Sequence, residues 1–352
     1  MNCRFLLSSV FVLGSLATVA FASAATQAAS AIVDGSVQYQ INVSPIPAGD
    51  LRTYSAEEFS GYKTISLMHL AFSEEMLAKA ATIPAASGET DFGKTGAIKP
   101  FNTSSGAVDL GMNNVPVLDQ GSYGTCVTFS STGALDTFLG KDTISQQCSL
   151  ELDIADPADD TYSQGGLAGN YWNGAYLATQ VINPILKQGF MSKTSCKTAY
   201  PSPSTTIKLA DYQKSSDKTS LSKVTVNYHA TNSIDLLKAA LNAGHRMVFS
   251  SMIGPSVSGY NISIGGSQKS GGLWACQQAS QDTANNCNGS YAGGHEIIAI
   301  GYDDAQQLIK IRNSWNTVVG DSGNYYMTYA YYNYWSTFAK TAGYIADGTE
   351  LY

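Results

Sequence analysis

One stretch near residue 120 restricts the fold of this chain more than any other part of its 352 residues. In VPVLDQGSYGTCVTFSSTGALD, an apolar entry and a glycine-rich turn lead to Cys126, and a helical pattern follows that Gly140 is expected to end. Cys126 is therefore predicted in the first turn of a helix, where unpaired N–H groups favour a thiolate and lower the cysteine pKa. Gly121 and Gly124 let the backbone approach a bound substrate closely.

Two later motifs supply possible partners for this cysteine. GGHEIIAIGYDD places His295 at the start of a strand, and LIKIRNSWNTVVGDSG places Asn313 at the end of another. An asparagine oxygen that accepts the ring N–H of a histidine fixes its tautomer and leaves the other nitrogen to face a thiol. The two motifs therefore predict a base and the residue that orients it.

Gln120 adds a candidate donor for a developing oxyanion. It stands six residues before Cys126, and its side-chain amide could act together with the Cys126 backbone N–H. A nucleophile, a base, an orienting residue and two such donors indicate attack of Cys126 on a carbonyl carbon.

The first 24 residues have the pattern of a secretory signal peptide. Arg4 precedes an apolar stretch that ends in Ala22-Ser23-Ala24, so cleavage is predicted after about Ala24. The alternative is a membrane anchor, but serine and glycine residues interrupt the stretch, and the apolar run is far shorter than the roughly 20 residues needed to span a bilayer. We expect a soluble mature protein that is secreted, either extracellular or periplasmic, without a membrane partner.

The cysteine count points to one unpaired thiol. Removal of the predicted signal leaves five cysteines, an odd number for an oxidising compartment where thiols normally pair. The remaining thiol either forms an intermolecular bond or is reactive. The motif around Cys126 favours this residue as the unpaired one.

Charge and histidine spacing exclude other classes of function. The net charge is −7 and the pI is about 5.0, without a basic run, so nucleic acid is not an expected partner. His69, His229 and His245 have no companions at metal-ligand spacing, so neither a metal nor another cofactor is predicted.

The pattern of the chain divides it into an N-terminal segment and a larger remainder. Residues 25–105 contain an alternating stretch, SVQYQINV, and then ISLMHLAFSEEMLAKAA, whose apolar spacing predicts a helix, before a polar linker. From about residue 113, helical patterns are followed by strand patterns. This order predicts an α+β fold with segregated halves.

The remainder is predicted to contain two further helices and four strands. The helices are GNYWNGAYLATQVI and SIDLLKAALNAG, and the strands are RMVFSSMI, EIIAIGY, LIKIRNSW and NYYMTYAYY. Residues 201–223 and 265–290 are predicted as surface insertions. Asp119 and Glu296 are predicted to face solvent and are assigned no role.

The three motifs resemble, in order, the signatures of the papain-like cysteine peptidases, which include the cathepsins. They are QGSYGTC around Cys126, GHEI around His295 and NSW beginning at Asn313, and the resemblance covers roughly residues 106–345. It implies a two-lobed fold with a helical N-terminal lobe, a β-rich C-terminal lobe and the active-site cleft between them. It also implies a Cys126, His295 and Asn313 triad, with Gln120 at the oxyanion.

The resemblance extends to substrate binding and to disulfides. Trp315 is expected to shield the Asn–His hydrogen bond, and the other substrate-binding residues implied are Gly165, Gly166 and Gly294. A disulfide between Cys148 and Cys196 would resemble a bridge of the family. A second disulfide between Cys276 and Cys287 is expected to close the second insertion. The alternative is that these four cysteines pair differently or remain free thiols.

Three departures from the family pattern affect the same region. Val127 replaces the usual aromatic residue after the nucleophile, and Asn316 replaces the usual glycine after the tryptophan. Tyr123 replaces a cysteine, and no cysteine precedes Gly165, so one customary disulfide is absent as a pair. These changes could reshape the pocket, but they remove no catalytic atom.

The expected function is that of a secreted, monomeric cysteine peptidase made as a zymogen. Residues 1–24 would be the signal peptide, 25–105 an inhibitory propeptide and 106–352 the peptidase domain, with endopeptidase action on protein or peptide substrates. The N-terminal segment lacks the family's long propeptide-helix pattern, and an attached accessory domain is its alternative. A non-catalytic groove-binding homologue and a transglutaminase-like Cys-His acyltransferase are the alternative functions.

Overall fold

A computed structural model describes residues 32–43, 61–80, 82, 97–101, 106–157, 171–175, 177–253, 260–264, 267–275, 293–341 and 347–352. The predicted signal peptide, most of the predicted linker and much of the second predicted insertion lie outside these ranges. Within them, helices and a large sheet form an α+β fold, which confirms the predicted fold class.

The N-terminal segment contains a β-hairpin followed by a short helix. Strand β1 (Ile32–Asn42) pairs antiparallel with β2 (Tyr62–Ala71), and α1 (Glu74–Ala80) follows. The predicted helix that began at Ile65 is therefore wrong in its first half. β2 is covered on both faces, so four consecutive residues are buried: Ile65, Ser66, Leu67 and Met68. When both faces of a strand are buried, its sequence pattern does not distinguish it from a helix.

A group of helices forms the N-terminal lobe of the larger part. The longest, α2 (Cys126–Leu139), ends at Gly140, which has a left-handed backbone (φ 67°) as a helix stop requires. It packs against α3 (Gln146–Ala155) and α4 (Ala178–Gln188). The helix predicted in GNYWNGAYLATQVI begins late, at Ala178, because residues 171–175 form turns that contact the loop before α2.

The sheet forms the second lobe. In the described residues its main path runs through β3 (Ala97–Ile98), β9 (Tyr260–Ile264), β10 (Ser267–Trp274), β13 (Asn324–Thr328), β12 (Leu308–Arg312), β11 (Gly293–Asp303), β8 (Arg246–Ile253), β14 (Gly348–Leu351) and β7 (Val226–His229). Both β2 and β4 (Ala107–Asp109) also pair with β11. Its central strands are β8 (Arg246–Ile253), β11 (Gly293–Asp303), β12 (Leu308–Arg312) and β13 (Asn324–Thr328). β11 is fully buried and contacts α2 on one face, so the two lobes meet along this strand.

Shorter elements complete the fold. The remaining strands in the described residues are β5 (Phe190–Met191) and β6 (Lys218–Thr219), which pair with each other. The helices are α5 (Leu209–Lys214), α6 (Ile234–Asn242) and α7 (Tyr329–Thr341). None of the described helices has the length and apolarity to cross a membrane.

Three further predictions need correction. NYYMTYAYY leaves the sheet after Thr328, whose hydroxyl accepts the Tyr331 N–H at 3.1 Å as α7 begins. Aromatic residues favour strands, but here they face the core at helical spacing. The predicted insertion 265–290 contains β10, whose Leu273 and Trp274 are buried, and the insertion 201–223 contains α5 with buried Tyr212.

Candidate active site

Cys126 is the first residue of α2, as the sequence predicts. The residue before it, Thr125, stands at the N-cap position, yet its side chain makes no capping hydrogen bond. One turn along the helix, the Ser130 hydroxyl donates to the Glu296 carbonyl at 2.7 Å. This bond holds the start of α2 against the strand that carries His295.

His295 and Asn313 are joined by a hydrogen bond. Nε2 of His295 lies 2.9 Å from Oδ1 of Asn313, an oxygen that also accepts the Ser314 backbone N–H at 2.8 Å. The amide oxygen accepts only, so Nε2 carries the proton. In the neutral ring Nδ1 is then an unprotonated base, and it has no hydrogen-bond partner in the described structure.

Trp315 covers this pair. Its ring stacks on the His295 imidazole with 4.7 Å between centroids and 28° between planes, and it is fully buried. The Trp274 ring meets the same histidine ring edge-on, with 6.3 Å between centroids. The two indoles exclude water from the Asn–His hydrogen bond, which strengthens it.

Burial controls the protonation of the site. Burial raises the pKa of Cys126 to about 12, an effect larger than the opposing hydrogen bonds from backbone groups. Burial likewise lowers the pKa of His295 to about 4, against the effect of its bond to Asn313. The sequence-based expectation of a lowered cysteine pKa is therefore wrong for the buried site, where burial favours the neutral thiol of Cys126 and the neutral imidazole of His295.

Gln120 is fixed beside the start of α2. Its Oε1 accepts the Ser314 hydroxyl at 2.7 Å, and its Nε2 donates to the Tyr123 carbonyl at 2.7 Å. A primary amide has two N–H donors, so one remains for a further acceptor. The backbone N–H of Gln120 also donates to the Ser314 carbonyl at 2.9 Å, which links the loop before Cys126 to the asparagine motif.

Asp119 does not simply face solvent as predicted. Its carboxylate accepts the Gly121 N–H at 2.9 Å and the Asn316 amide at 3.3 Å, and it forms an ion pair with Lys63 of β2 at 2.6 Å. The Lys63 side chain is only 6% exposed. The N-terminal hairpin is therefore bound through a charge to the residue before Gln120.

The hairpin also pairs with the strand of the candidate base. In β11, Gly294 pairs with Met68 and Gly293 with His69. A Cβ added to Gly293 would lie 3.0 Å from the Leu67 side chain, so glycine permits this close packing. Cys126 and His295 are 6% and 3% exposed with the hairpin in place.

Glu296 is also buried, contrary to the prediction. It is 2% exposed, and burial together with the nearby Asp347 carboxylate raises its pKa well above the usual range. Ser250 donates to Asp347 at 2.6 Å from the strand beside β11. Burial therefore disfavours the charged form of the residue that follows the candidate base.

The structure describes some of the remaining predicted site residues but not all of them. Cys148 and Cys196 form a disulfide with an S–S distance of 1.99 Å, and Cys126 is the free cysteine of the described residues. Gly165, Gly166, Cys276 and Cys287 lie outside the described residues. Their roles stay predictions.

Sequence reasoning missed three contributors to this site. Ser314 orients Gln120, Lys63 binds Asp119, and Tyr200 contacts both Gln120 and Thr125. Ser314 lies within the recognised NSW motif and could have been proposed. Lys63 and Tyr200 lie 56 and 80 residues from their partners Asp119 and Gln120, and only the fold brings them together.

Sequence comparison finds similar proteins over part of the chain. Cysteine proteinase 1 of Entamoeba histolytica is 28% identical over 212 residues, which is 59% of this chain and 58% of that protein. Gamete and mating-type specific protein A of Dictyostelium discoideum is 28% identical over 247 residues, 66% of this chain and 46% of that protein. The matches thus span about half the length of these relatives. No family model matches the chain.

Solved structures with a similar arrangement are cysteine proteases. Xylellain from Xylella fastidiosa has a TM-score of 0.46 at 18% identity and covers 91% of this chain and 97% of its own. Digestive procathepsin L 3 of Tenebrio molitor has a TM-score of 0.41 at 19% identity, covering 80% and 82%. The motif residues and the similarity to a cysteine proteinase show that this chain resembles the papain-like cysteine peptidases.

Proposed function

We propose that this chain is a cysteine-type peptidase that hydrolyses peptide bonds with Cys126, His295, Asn313 and Gln120. The observation that carries the proposal is the His295–Asn313 hydrogen bond beneath Trp315, on the strand that contacts the start of α2. This bond leaves Nδ1 as the free base of the ring. The name of the Entamoeba relative supports the same reaction.

The proposed mechanism moves one proton between sulfur and imidazole. His295 Nδ1 takes the proton of the Cys126 thiol, and the thiolate sulfur attacks the peptide carbonyl carbon. The oxyanion that forms accepts hydrogen bonds from the remaining Gln120 amide N–H and the Cys126 backbone N–H. The imidazolium then protonates the leaving amine, and water, deprotonated by His295, hydrolyses the thioester to release the acid and restore the thiol.

We further propose that the chain is exported and stays latent until its N-terminal segment is cut. The signal peptide would be residues 1–24, the inhibitory segment 25–105 and the peptidase domain 106–352. The Lys63–Asp119 ion pair and the pairing of Met68 with Gly294 support inhibition, since both lie beside candidate catalytic residues. Endopeptidase action by a monomer on protein or peptide substrates completes the proposal.

An epoxysuccinyl thiol inhibitor tests the peptidase proposal. After proteolytic cleavage of the linker that follows the hairpin, the full chain should hydrolyse a denatured protein substrate, and the inhibitor should stop hydrolysis with one label on Cys126. The Cys126→Ser variant should show neither hydrolysis nor that label. Failure to label Cys126 would contradict the proposal, and amine incorporation without hydrolysis would favour acyl transfer instead.

A further inference from the structure

Tyr200 lies behind the loop that carries Gln120 and Cys126. It precedes the first predicted insertion, and its hydroxyl donates to the Gln120 carbonyl at 2.6 Å. The same hydroxyl oxygen lies 2.9 Å from Oγ1 of Thr125. Tyr200 therefore contacts both ends of the turn that runs from the candidate oxyanion residue to the candidate nucleophile.

The direction of these hydrogen bonds follows from proton counting. A phenol has one O–H, and the Gln120 carbonyl can only accept it, so the Thr125 hydroxyl must donate to the Tyr200 oxygen. The result is a chain of two bonds in one direction, from Thr125 through Tyr200 to Gln120. Such chains polarise their members and hold them more firmly than separate bonds would.

Because of these two hydrogen bonds, the Thr125 side chain does not cap the helix. A threonine at the N-cap of a helix ordinarily accepts an N–H from the first turn, and Thr125 makes no such bond. Its hydroxyl is directed to Tyr200 instead. The first-turn N–H groups of α2 are thus left without this side-chain acceptor, where a thiolate or an oxyanion could use them.

Aromatic packing holds Tyr200 in place. The Trp172 ring stacks on Tyr200 with 5.5 Å between centroids and 13° between planes, and Tyr123 meets Trp172 edge-on at 5.1 Å. The Trp172 carbonyl also accepts the Gly124 N–H at 3.0 Å. A Cβ at Gly124 would lie 2.7 Å from the Asn173 carbonyl oxygen, so the loop and the 171–175 turn fit closely.

We propose that Tyr200 is a positioning residue that holds the Gln120 and Thr125 ends of the nucleophile loop in the geometry needed for oxyanion stabilisation. With Trp172 and Tyr123 it fixes, without a covalent bond, a loop whose Tyr123 stands where related chains have a cysteine. The inference rests on the proposed function, because it concerns the same reaction. Tyr200 acts through Gln120 and does not need to touch the substrate.

The test compares Tyr200→Phe with a matched loss of a tyrosine hydroxyl. Tyr212 is buried in the same lobe, and its hydroxyl donates to the Gly189 carbonyl at 3.0 Å, so Tyr212→Phe removes a similar bond distant from the reaction. In the proteolytically activated full chain, Tyr200→Phe should lower kcat about tenfold and leave KM within about twofold, as expected for a misplaced transition-state donor. Tyr212→Phe should alter neither constant.

A double variant separates positioning from general loss of structure. If Tyr200 acts through Gln120, Tyr200→Phe should lower kcat less than about twofold in a Gln120→Ala background, where that donor is already absent. An unchanged kcat in Tyr200→Phe, or a full tenfold effect that persists in Gln120→Ala, would overturn the inference alone. An activated wild-type chain that hydrolyses nothing would overturn the proposed function and, with it, this role.

Discussion

Asn316 shows how one unusual residue fits the candidate site. It follows Trp315 with a left-handed backbone (φ 69°), a conformation that glycine adopts freely and asparagine tolerates better than other residues. Its side-chain oxygen accepts the Thr317 N–H at 2.6 Å, and its amide contacts Asp119. The departure from the family's glycine thus preserves the backbone that the position requires and adds a bond to the oxyanion loop.

Replacing Asn316 tests this account. Asn316→Ala should lower the free energy of unfolding by about 1–2 kcal/mol, because alanine pays the left-handed penalty that glycine avoids. Asn316→Gly should cost less, since it loses the side-chain bonds but not the backbone conformation. Urea unfolding of the two full-length variants gives the comparison, and an alanine variant as stable as the glycine variant would contradict it.

Val127 is a second departure from the family pattern, and the structure places it in the core. Its side chain is buried in the core that α2 shares with its neighbouring helices. Loss of the usual aromatic group at this position therefore changes the core packing on that side of α2. The structure gives the groove-binding alternative no support from Val127.

At the scale of elements, the hairpin of β1 and β2 contacts both the strand of His295 and the loop before Cys126. Its buried residues Ile65 and Leu67 belong to the same core as Trp274 and Trp315, so it is packed into the β-rich lobe. Lys63 adds a charge contact at the opposite end of β2 from Met68. A buried lysine is costly without its partner, so this contact is sensitive to substitution.

Loss of the Lys63 charge should weaken latency. In the uncleaved full chain, Lys63→Ala should raise peptide hydrolysis about tenfold, which corresponds to about 1.4 kcal/mol less stabilisation of the closed hairpin. Lys79→Ala is the control, because Lys79 pairs with Glu75 on the exposed face of α1 and such pairs contribute little. A fluorogenic peptide assay of both variants decides, and equal rates would remove the ion pair from the account of latency.

Parts of the fold followed from local pattern, and others did not. RMVFSSMI is strand β8 over Arg246–Ile253, and Ser233 caps α6, because apolar runs and caps act locally. The part of β2 from Ile65 onward was predicted as a helix because its apolar spacing resembles that of a helix. The residues that cover β2 on both faces come from distant parts of the chain, which a local pattern does not contain. Tyr200 was likewise unassigned, since its partner Gln120 is 80 residues away in sequence.

At the scale of the whole molecule, packing of the two lobes and the hairpin buries the candidate site, and this burial shifts the pKa values of its groups. Burial holds the pKa of Cys126 at about 12 and that of His295 at about 4. A thiolate forms only as the pH rises through the thiol pKa, so the closed chain contains almost none near neutrality. Opening the site to water reduces the desolvation that causes both shifts.

Alkylation against pH measures this effect. Labelling of Cys126 by iodoacetamide in the uncleaved chain should continue to rise toward about pH 12. After cleavage of the linker and release of the hairpin, the midpoint should fall below the ordinary thiol value of about 8.5. The midpoint, and not the maximal rate, is the readout, because access alone changes the rate; an unchanged midpoint would contradict the role of burial. Cys126→Ser gives the background labelling.

The aromatic cluster of Tyr123, Trp172 and Tyr200 has a consequence for the redox behaviour of the molecule. A thiol nucleophile must be kept reduced to react, and a reductant that achieves this also attacks disulfides. Stacked rings and a phenol hydrogen bond are insensitive to that reductant. The groups that directly contact the loop bearing Cys126 therefore contain no bond that such a reductant can cleave.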